Sequence, residues 1–166
     1  MADLADIQPG QRVLEPSAGT GNLITAILNR FMSGADCGRI VAVEINFQLA
    51  EQLRERQRKT LYATDSNYDI RCADFLSHNG ELGQFDRIIM NPPFADAADI
   101  KHIRHAFDKL KPGGRLVAIC ANGPRQRDQI MALADQFGTW EDLPADSFAE
   151  SGTSVNAAMI VLDKPE

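Results

Sequence analysis

The chain has 166 residues, with 17 Lys and Arg against 23 Asp and Glu for a formal net charge of −6, and 44% of its residues are hydrophobic. That is the length of one domain with enough apolar content to build a core, which argues against two independently folded domains and against intrinsic disorder. No apolar run approaches the roughly 20 residues of a membrane span. The first six residues, Met1–Asp6, lack the basic and apolar segments of a secretory signal. The acidic balance argues against gripping nucleic acid over a large surface, while leaving room for a local basic patch. Cys37, Cys72 and Cys120 form no CxxC pair and read as free thiols in a reducing cytoplasm.

In chain order, the first apolar run is Arg12–Glu15, launched from the Pro9-Gly10 turn. The glycine-rich stretch to Gly21 follows, then helical periodicity from Asn22 to Phe31. A second strand is expected over Arg39–Glu44, and Phe47–Lys59, rich in Gln, Arg, Leu and Glu, predicts a helix. Residues 62–67 read as a loop and Tyr68–Cys72 as a third strand. The fourth, Asp86–Met90, runs straight into Asn91-Pro92-Pro93-Phe94, where two prolines cannot continue a central ladder. A helix over Asp99–Leu110 is followed by Lys111-Pro112-Gly113-Gly114, a helix stop and tight turn, and then by a fifth strand, Arg115–Ala121. A helix over Arg125–Phe137 precedes strands near Thr139–Leu143 and Val155–Leu162. A polar stretch with Ser151-Gly152-Thr153 joins these last two strands, so they should be antiparallel neighbours. The alternation predicts an α/β fold: a Rossmann-like, doubly wound seven-stranded sheet, mostly parallel with an antiparallel last strand.

Four constellations carry chemistry. The first, Glu15-Pro16-Ser17-Ala18-Gly19-Thr20-Gly21, joins a strand to a helix. Glycines there let backbone approach a ligand closely, although a tight turn alone also needs glycine. No Gly-Lys-Ser/Thr follows, so it is not a Walker loop, and Ile24 stands where a full GxGxxG has its last glycine. The second is Glu44, at a strand end where a carboxylate can accept the two vicinal hydroxyls of a ribose; a nicotinamide dinucleotide would suit it equally. The third is Asp74, which could accept the exocyclic amine of an adenine, with Phe75 beside the ring. The fourth is Asn91-Pro92-Pro93-Phe94, beyond the carboxyl end of a strand, where ligands sit in doubly wound sheets. The Asn91 side-chain oxygen and the Pro92 carbonyl can both accept from one –NH₂ group, and Phe94 offers a face for stacking. These parts suit a planar amine such as adenine or a side-chain amide.

Leu14–Gly21 together with Asn91–Phe94 resembles the class I S-adenosylmethionine-dependent methyltransferases of the amino-methylating group. Within that group it is most similar to small adenine-N6 DNA methyltransferase-like proteins of phage and mobile elements. The resemblance extends over nearly the whole chain. It implies one methyltransferase domain over residues 1–166, with no separate target-recognition domain, and S-adenosyl-L-methionine as cofactor. It places Ser17, Gly19 and Gly21 under the methionine part of that cofactor, Glu15 near its amino group, Glu44 on its ribose, Ile45 beside its adenine, and Asp74 and Phe75 at the adenine amine. It assigns Asn91, Pro92, Pro93 and Phe94 to the target amine. Such proteins usually carry a further segment before strand one, with an aromatic residue and a Thr-Pro step that closes over the methionine carboxylate; nothing in Met1–Pro9 matches it.

Adenine N6 in DNA is the leading target, with an RNA base or a protein glutamine amide as alternatives. A nicotinamide-binding oxidoreductase would explain the glycine loop and Glu44 but leave Asn91–Phe94 idle. A non-catalytic cofactor-binding subunit is the remaining reading. The expected partner is nucleic acid, DNA ahead of RNA, with contact confined to the rim of the site or supplied by a partner specificity subunit. His102 and His105 lack a third metal ligand, so a solvated face and no metal are expected. Lys101, Arg104, Lys109 and Lys111 on that same stretch could touch phosphate. Arg54, Arg56, Arg58 and Lys59 read as surface, and Cys120 as a small buried residue.

Overall fold

A computed structural model describes residues 1–31, 38–59, 68–77, 82–145, 147 and 155–166. Seven strands form one sheet: β1 (Arg12–Glu15), β2 (Arg39–Glu44), β3 (Tyr68–Cys72), β4 (Phe85–Met90), β5 (Leu110–Ala121), β6 (Gly138–Asp142) and β7 (Ala157–Asp163). Helices α1 (Asn22–Arg30), α2 (Phe47–Lys59) and α3 (Ala98–Asp108) follow β1, β2 and β4. After β5, α4 (Pro124–Gln126) runs through a π-helical stretch, Arg127–Met131, into α5 (Ala132–Phe137). Cys37, the loop over 62–67 and Ser151-Gly152-Thr153 lie outside the described residues. Among the described residues no helix is long and apolar enough to cross a membrane.

The strand order is β3-β2-β1-β4-β5-β7-β6. Neighbours from β3 through β5 are parallel, and β7 runs antiparallel to both β5 and β6. This is the expected doubly wound sheet with its one reversed strand. Its central strands are apolar because both faces are covered. Successive side chains alternate: Val13 and Ile89 join one core cluster, while Leu14, Ile88 and Met90 join the opposite one. The first face is covered by Ile27 of α1 and by Ala5 and Ile7 of the N-terminal turn. The second carries Ile100 and Ile103 of α3 with Ile130 and Ala134 after β5. Cys120 is buried there as expected, and burial pushes its thiol up to about 12.

Several expected bounds shift by one or two residues, the expected Arg125–Phe137 helix carries the π-helical stretch, and one boundary differs by more. Lys111–Gly114 is not a separate turn between helix and strand but belongs to a bulged start of β5, whose register shifts between Phe85 and Arg87. Gly113 supplies the left-handed conformation (φ 71), and its N–H donates to the Lys164 carbonyl at 3.0 Å. The Lys164 N–H donates in turn to the Gly114 carbonyl at 2.9 Å, so the chain after β7 satisfies the backbone that a free turn would expose to water.

The order reverses between β1 and β4, and the chain leaves these neighbours toward opposite faces, opening a crevice at their carboxyl ends. A buried carboxylate fixes one wall. Asp99, fully buried in the first turn of α3, accepts from the Ala121 N–H at 2.9 Å, the Ile100 N–H at 3.0 Å and the Gln126 side-chain amide at 3.1 Å. It ties α3 to the end of β5 and to α4. Replacing Asp99 with alanine would strand the Ala121 and Gln126 donors. Asp99→Ala is expected to lower the unfolding free energy by about 2–4 kcal/mol, read as a lower urea midpoint. The exposed neighbour Asp108→Ala should change it by no more than about 0.5 kcal/mol; equal midpoints for the two variants would contradict the assignment.

Candidate active site

The loop after β1 turns back under the carboxyl ends of the strands. The Ala18 N–H donates to the Val43 carbonyl at 2.9 Å and the Gly21 N–H to the Ala18 carbonyl at 2.8 Å. Gly19 and Gly21 have φ of 53° and 80°, a region that side chains with a Cβ rarely enter. A Cβ on Gly21 would also press on Leu53 Cδ2 at 2.5 Å, so α2 packs closely against this turn. Arg56 of α2 braces the loop by donating to the Thr20 carbonyl and, at 3.0 Å, to Thr25 Oγ1. Its neighbours match the surface expectation: Arg54 pairs with Glu51, and Arg58 and Lys59 with Glu55.

Glu44 joins two loops. One carboxylate oxygen accepts from the Gly19 N–H and the other from the Asn46 N–H, both at 2.7 Å. Each oxygen keeps a further lone pair for a ligand hydroxyl. Glu15, at the end of β1, is 1% exposed, and its Oε2 has no hydrogen-bond partner among the described residues. Burial raises its pKa well above the ordinary value, a hydrogen bond from the Ile24 backbone pulls the other way, and the Glu44 charge adds to the rise.

A cavity of about 520 Å³ opens at the crevice, a size suited to a small-molecule ligand. Of the residues expected from the sequence, Ser17, Glu44, Ile45, Asp74, Phe75 and all of Asn91, Pro92, Pro93 and Phe94 line it. Glu15, Gly19 and Gly21 do not; they form the loop and strand end behind it. Ile45 is 70% exposed at the rim. Asp74 is exposed and already accepts from Ser77 Oγ at 2.7 Å and the Leu76 N–H at 3.0 Å, and these bonds hold its pKa down. Among the described residues the exposed Asn91 amide makes no hydrogen bond with protein.

Phe75 is 2% exposed where it lines the cavity, and its ring lies 4.8 Å from that of His105, edge-on, and 5.7 Å from that of His102. Two expectations are corrected. The two histidines do not form a solvated face. His102 lines the cavity with Nδ1 3.4 Å from Ser17 Oγ, and His105 Nε2 is buried without a hydrogen-bond partner among the described residues. Burial lowers both pKa values, leaving the rings neutral at pH 7. Second, Lys111 pairs at 2.8 Å with Asp86 at the start of β4, opposite the Asn91 end, and Lys109 caps the far end of α3; neither stands at the crevice.

The residues fit S-adenosyl-L-methionine. Gly19 exposes its backbone beside the Glu44 carboxylate, and a buried carboxyl with an unpartnered oxygen waits where a cation would relieve it. The sheet order and the crevice loops define the class I methyltransferase fold. Superposition on a putative class I S-adenosylmethionine-dependent methyltransferase from Listeria monocytogenes gives a TM-score of 0.78 at 17% identity, covering 99% of this chain and 58% of that one. A type I restriction-modification methyltransferase subunit from Streptococcus thermophilus gives 0.79 at 20% identity, covering 99% and 44%. Residues 2–147 match the methyltransferase small domain, and the chain belongs to that family. A curated relative is the 23S rRNA (uracil(1939)-C(5))-methyltransferase RlmD of Shewanella denitrificans. It is 27% identical over 132 residues, which cover 80% of this chain and 27% of the relative. The chain spans about a quarter to a half of the length of the curated relatives it matches first. The expected cofactor, S-adenosyl-L-methionine, agrees with these matches.

The buried Glu15 gives a stability prediction. Its carboxyl ionises near the ordinary value when unfolded and only well above it when folded, so ionisation opposes folding, and stability falls as pH rises through that interval. Without ligand, Glu15→Gln should therefore melt higher than the native chain at neutral pH, by about 2–4 °C for each kcal/mol recovered. That gain should vanish near pH 4. An equal or lower melting temperature at neutral pH would show that Glu15 is not held against its ionisation.

Proposed function

We propose that this chain is an S-adenosyl-L-methionine-dependent methyltransferase acting on an exocyclic amine, adenine N6 in nucleic acid, with DNA favoured over RNA. The observation that carries the reading is that Asn91-Pro92-Pro93-Phe94 lines the same cavity as Ser17 and Glu44. An amine-holding motif and a nucleoside-holding loop thus face one space. The RNA methyltransferase relative and the restriction-modification neighbour support a nucleic-acid target. On this reading residues 1–166 act as one catalytic domain in the cytoplasm, with target recognition supplied by a partner subunit.

When bound, S-adenosyl-L-methionine supplies a methyl group on a positively charged sulfur. Glu44 would hold the ribose hydroxyls, Ile45, Asp74 and Phe75 the adenine end, and Ser17, Gly19, Gly21 and Glu15 the methionine end. The adenine amine is a poor nucleophile because its lone pair is delocalised into the ring. The Asn91 side-chain oxygen and the Pro92 carbonyl accept its two N–H groups and favour a pyramidal nitrogen. They also stabilise the positive charge that grows there as the new bond forms. Phe94 stacks on the extruded base and fixes its angle of approach. The surplus proton leaves for solvent after transfer, so no side chain need remove it first.

Transfer of radiolabelled methyl is expected into DNA, more weakly into RNA, and not into a glutamine-containing peptide. Asn91→Ala should lower kcat about 10²–10³-fold with cofactor affinity unchanged by calorimetry. Full activity in this variant would remove Asn91 from the reaction, and transfer into the peptide alone would overturn the nucleic-acid target.

A further inference from the structure

Most of the 17 cationic side chains are tied down. Arg54, Lys111, Arg115 and Arg127 pair with carboxylates, while Arg12 and Lys164 donate to backbone carbonyls. Among the described residues, Lys101, Lys109 and Arg125 have neither kind of partner, and Lys101 and Arg125 are the exposed pair among them. Their positions are not scattered. Lys101 lies two residues after Asp99 on α3 and one before His102, which lines the cavity. Arg125 lies one residue before Gln126, whose side chain holds Asp99 at 3.1 Å. The buried tie between the two helices thus joins the two stretches that carry these exposed cations. One turn along α3, exposed Arg104 reaches across to the Gln129 carbonyl at 3.0 Å, leaving its charge without a carboxylate partner. Asp128 on the same stretch and Asp96 just before α3 are exposed acids, so three cations stand against two acids on a chain of net charge −6. Both helices start at the carboxyl edge of the sheet, α3 directly after Phe94 and the 3₁₀ turn and α4 directly after β5.

We propose that Lys101, Arg104 and Arg125 form a phosphate track along the α3–α4 seam, on which a single nucleic-acid strand lies so that its target base enters the cavity at Asn91 and Phe94. This rests on the nucleic-acid reading above and adds where the strand runs. Three cations suit a short local contact with a flexible backbone rather than an extended duplex surface, which reconciles a polyanionic substrate with an acidic protein. The seam runs on the side of α3 that faces α4, away from the His102 flank that meets Ser17. Strand and cofactor would therefore approach from different sides.

The test is fluorescence anisotropy of the full chain with labelled single-stranded DNA and RNA of one sequence, in the presence of cofactor, over a range of KCl concentrations. Lys101→Ala/Arg125→Ala should weaken binding. It should also flatten the plot of log affinity against log salt by about 1.4, which is about 0.7 for each of two phosphates no longer neutralised. Cofactor affinity by calorimetry should be unchanged. Lys109→Ala, which removes a cation at the far end of α3, should leave the slope as it was. The two strand types tell which source of phosphodiester is held. Native binding with the same slope in the double variant, or an equal loss in Lys109→Ala, overturns the track alone. Failure of the native chain to bind either strand overturns the track together with the nucleic-acid reading.

Discussion

The site depends on one carboxylate. Glu44 ends β2 with its two oxygens bonded to the Gly19 and Asn46 N–H groups, so the loops after β1 and β2 are held at a fixed separation by a single side chain. Charge-assisted bonds to backbone are among the stronger hydrogen bonds, and these are mostly shielded from water. Gly19 can serve only because its backbone adopts φ 53, and Arg56 braces the same loop from behind. With Glu15 buried behind the cavity at the end of the adjacent strand, two carboxyl groups stand near each other with no cation bonded to either among the described residues. Such an arrangement is costly in the empty protein and becomes favourable when a cationic ligand arrives. S-adenosyl-L-methionine, with its sulfonium and ammonium, is a ligand of that kind.

The opposite wall depends on a second buried carboxylate. Asp99 locks the start of α3 to the ends of β5 and α4, and the segment it anchors includes Asp96 and Ala97 with φ of 54° and 55°. Left-handed backbone at residues other than glycine costs on the order of 1–3 kcal/mol each. Here it lets the chain turn sharply from the two prolines into the helix. Phe94 then faces the cavity, with Lys101 and Arg104 following on α3. Asn91–Phe94 and the proposed phosphate track thus share one anchor.

Much of this was legible in the sequence, for identifiable reasons. Parallel strands covered on both faces read as apolar runs, so Arg39–Glu44 and the cores of β1, β4 and β5 stood out, as did the reversal of the last strand. Asn91–Phe94 was visible because two prolines end a strand at a fixed place. Contacts between residues distant in the chain were not visible. Nothing near Asp99 announces that Gln126 will close on it, and Arg56 looks like any helix-surface arginine until α2 packs against the glycine loop. His102 and His105 looked solvated because their spacing says nothing about Phe75, 27 and 30 positions earlier. Lys111 looked close to the site because sequence proximity to α3 concealed its pairing with Asp86. In each case the missing information was which flank of a helix meets which loop, and that is settled by tertiary packing.

The central claim is that one cavity holds a methyl donor against an amine-holding motif. The most direct measurement is a crystal structure of the chain with S-adenosyl-L-methionine. The account predicts the ribose hydroxyls within hydrogen-bond distance of Glu44, the amino group beside Glu15, and the methyl group turned toward Asn91 and Phe94. A cofactor bound elsewhere on the molecule, or in this cavity with its methyl group turned away from Asn91, would contradict it.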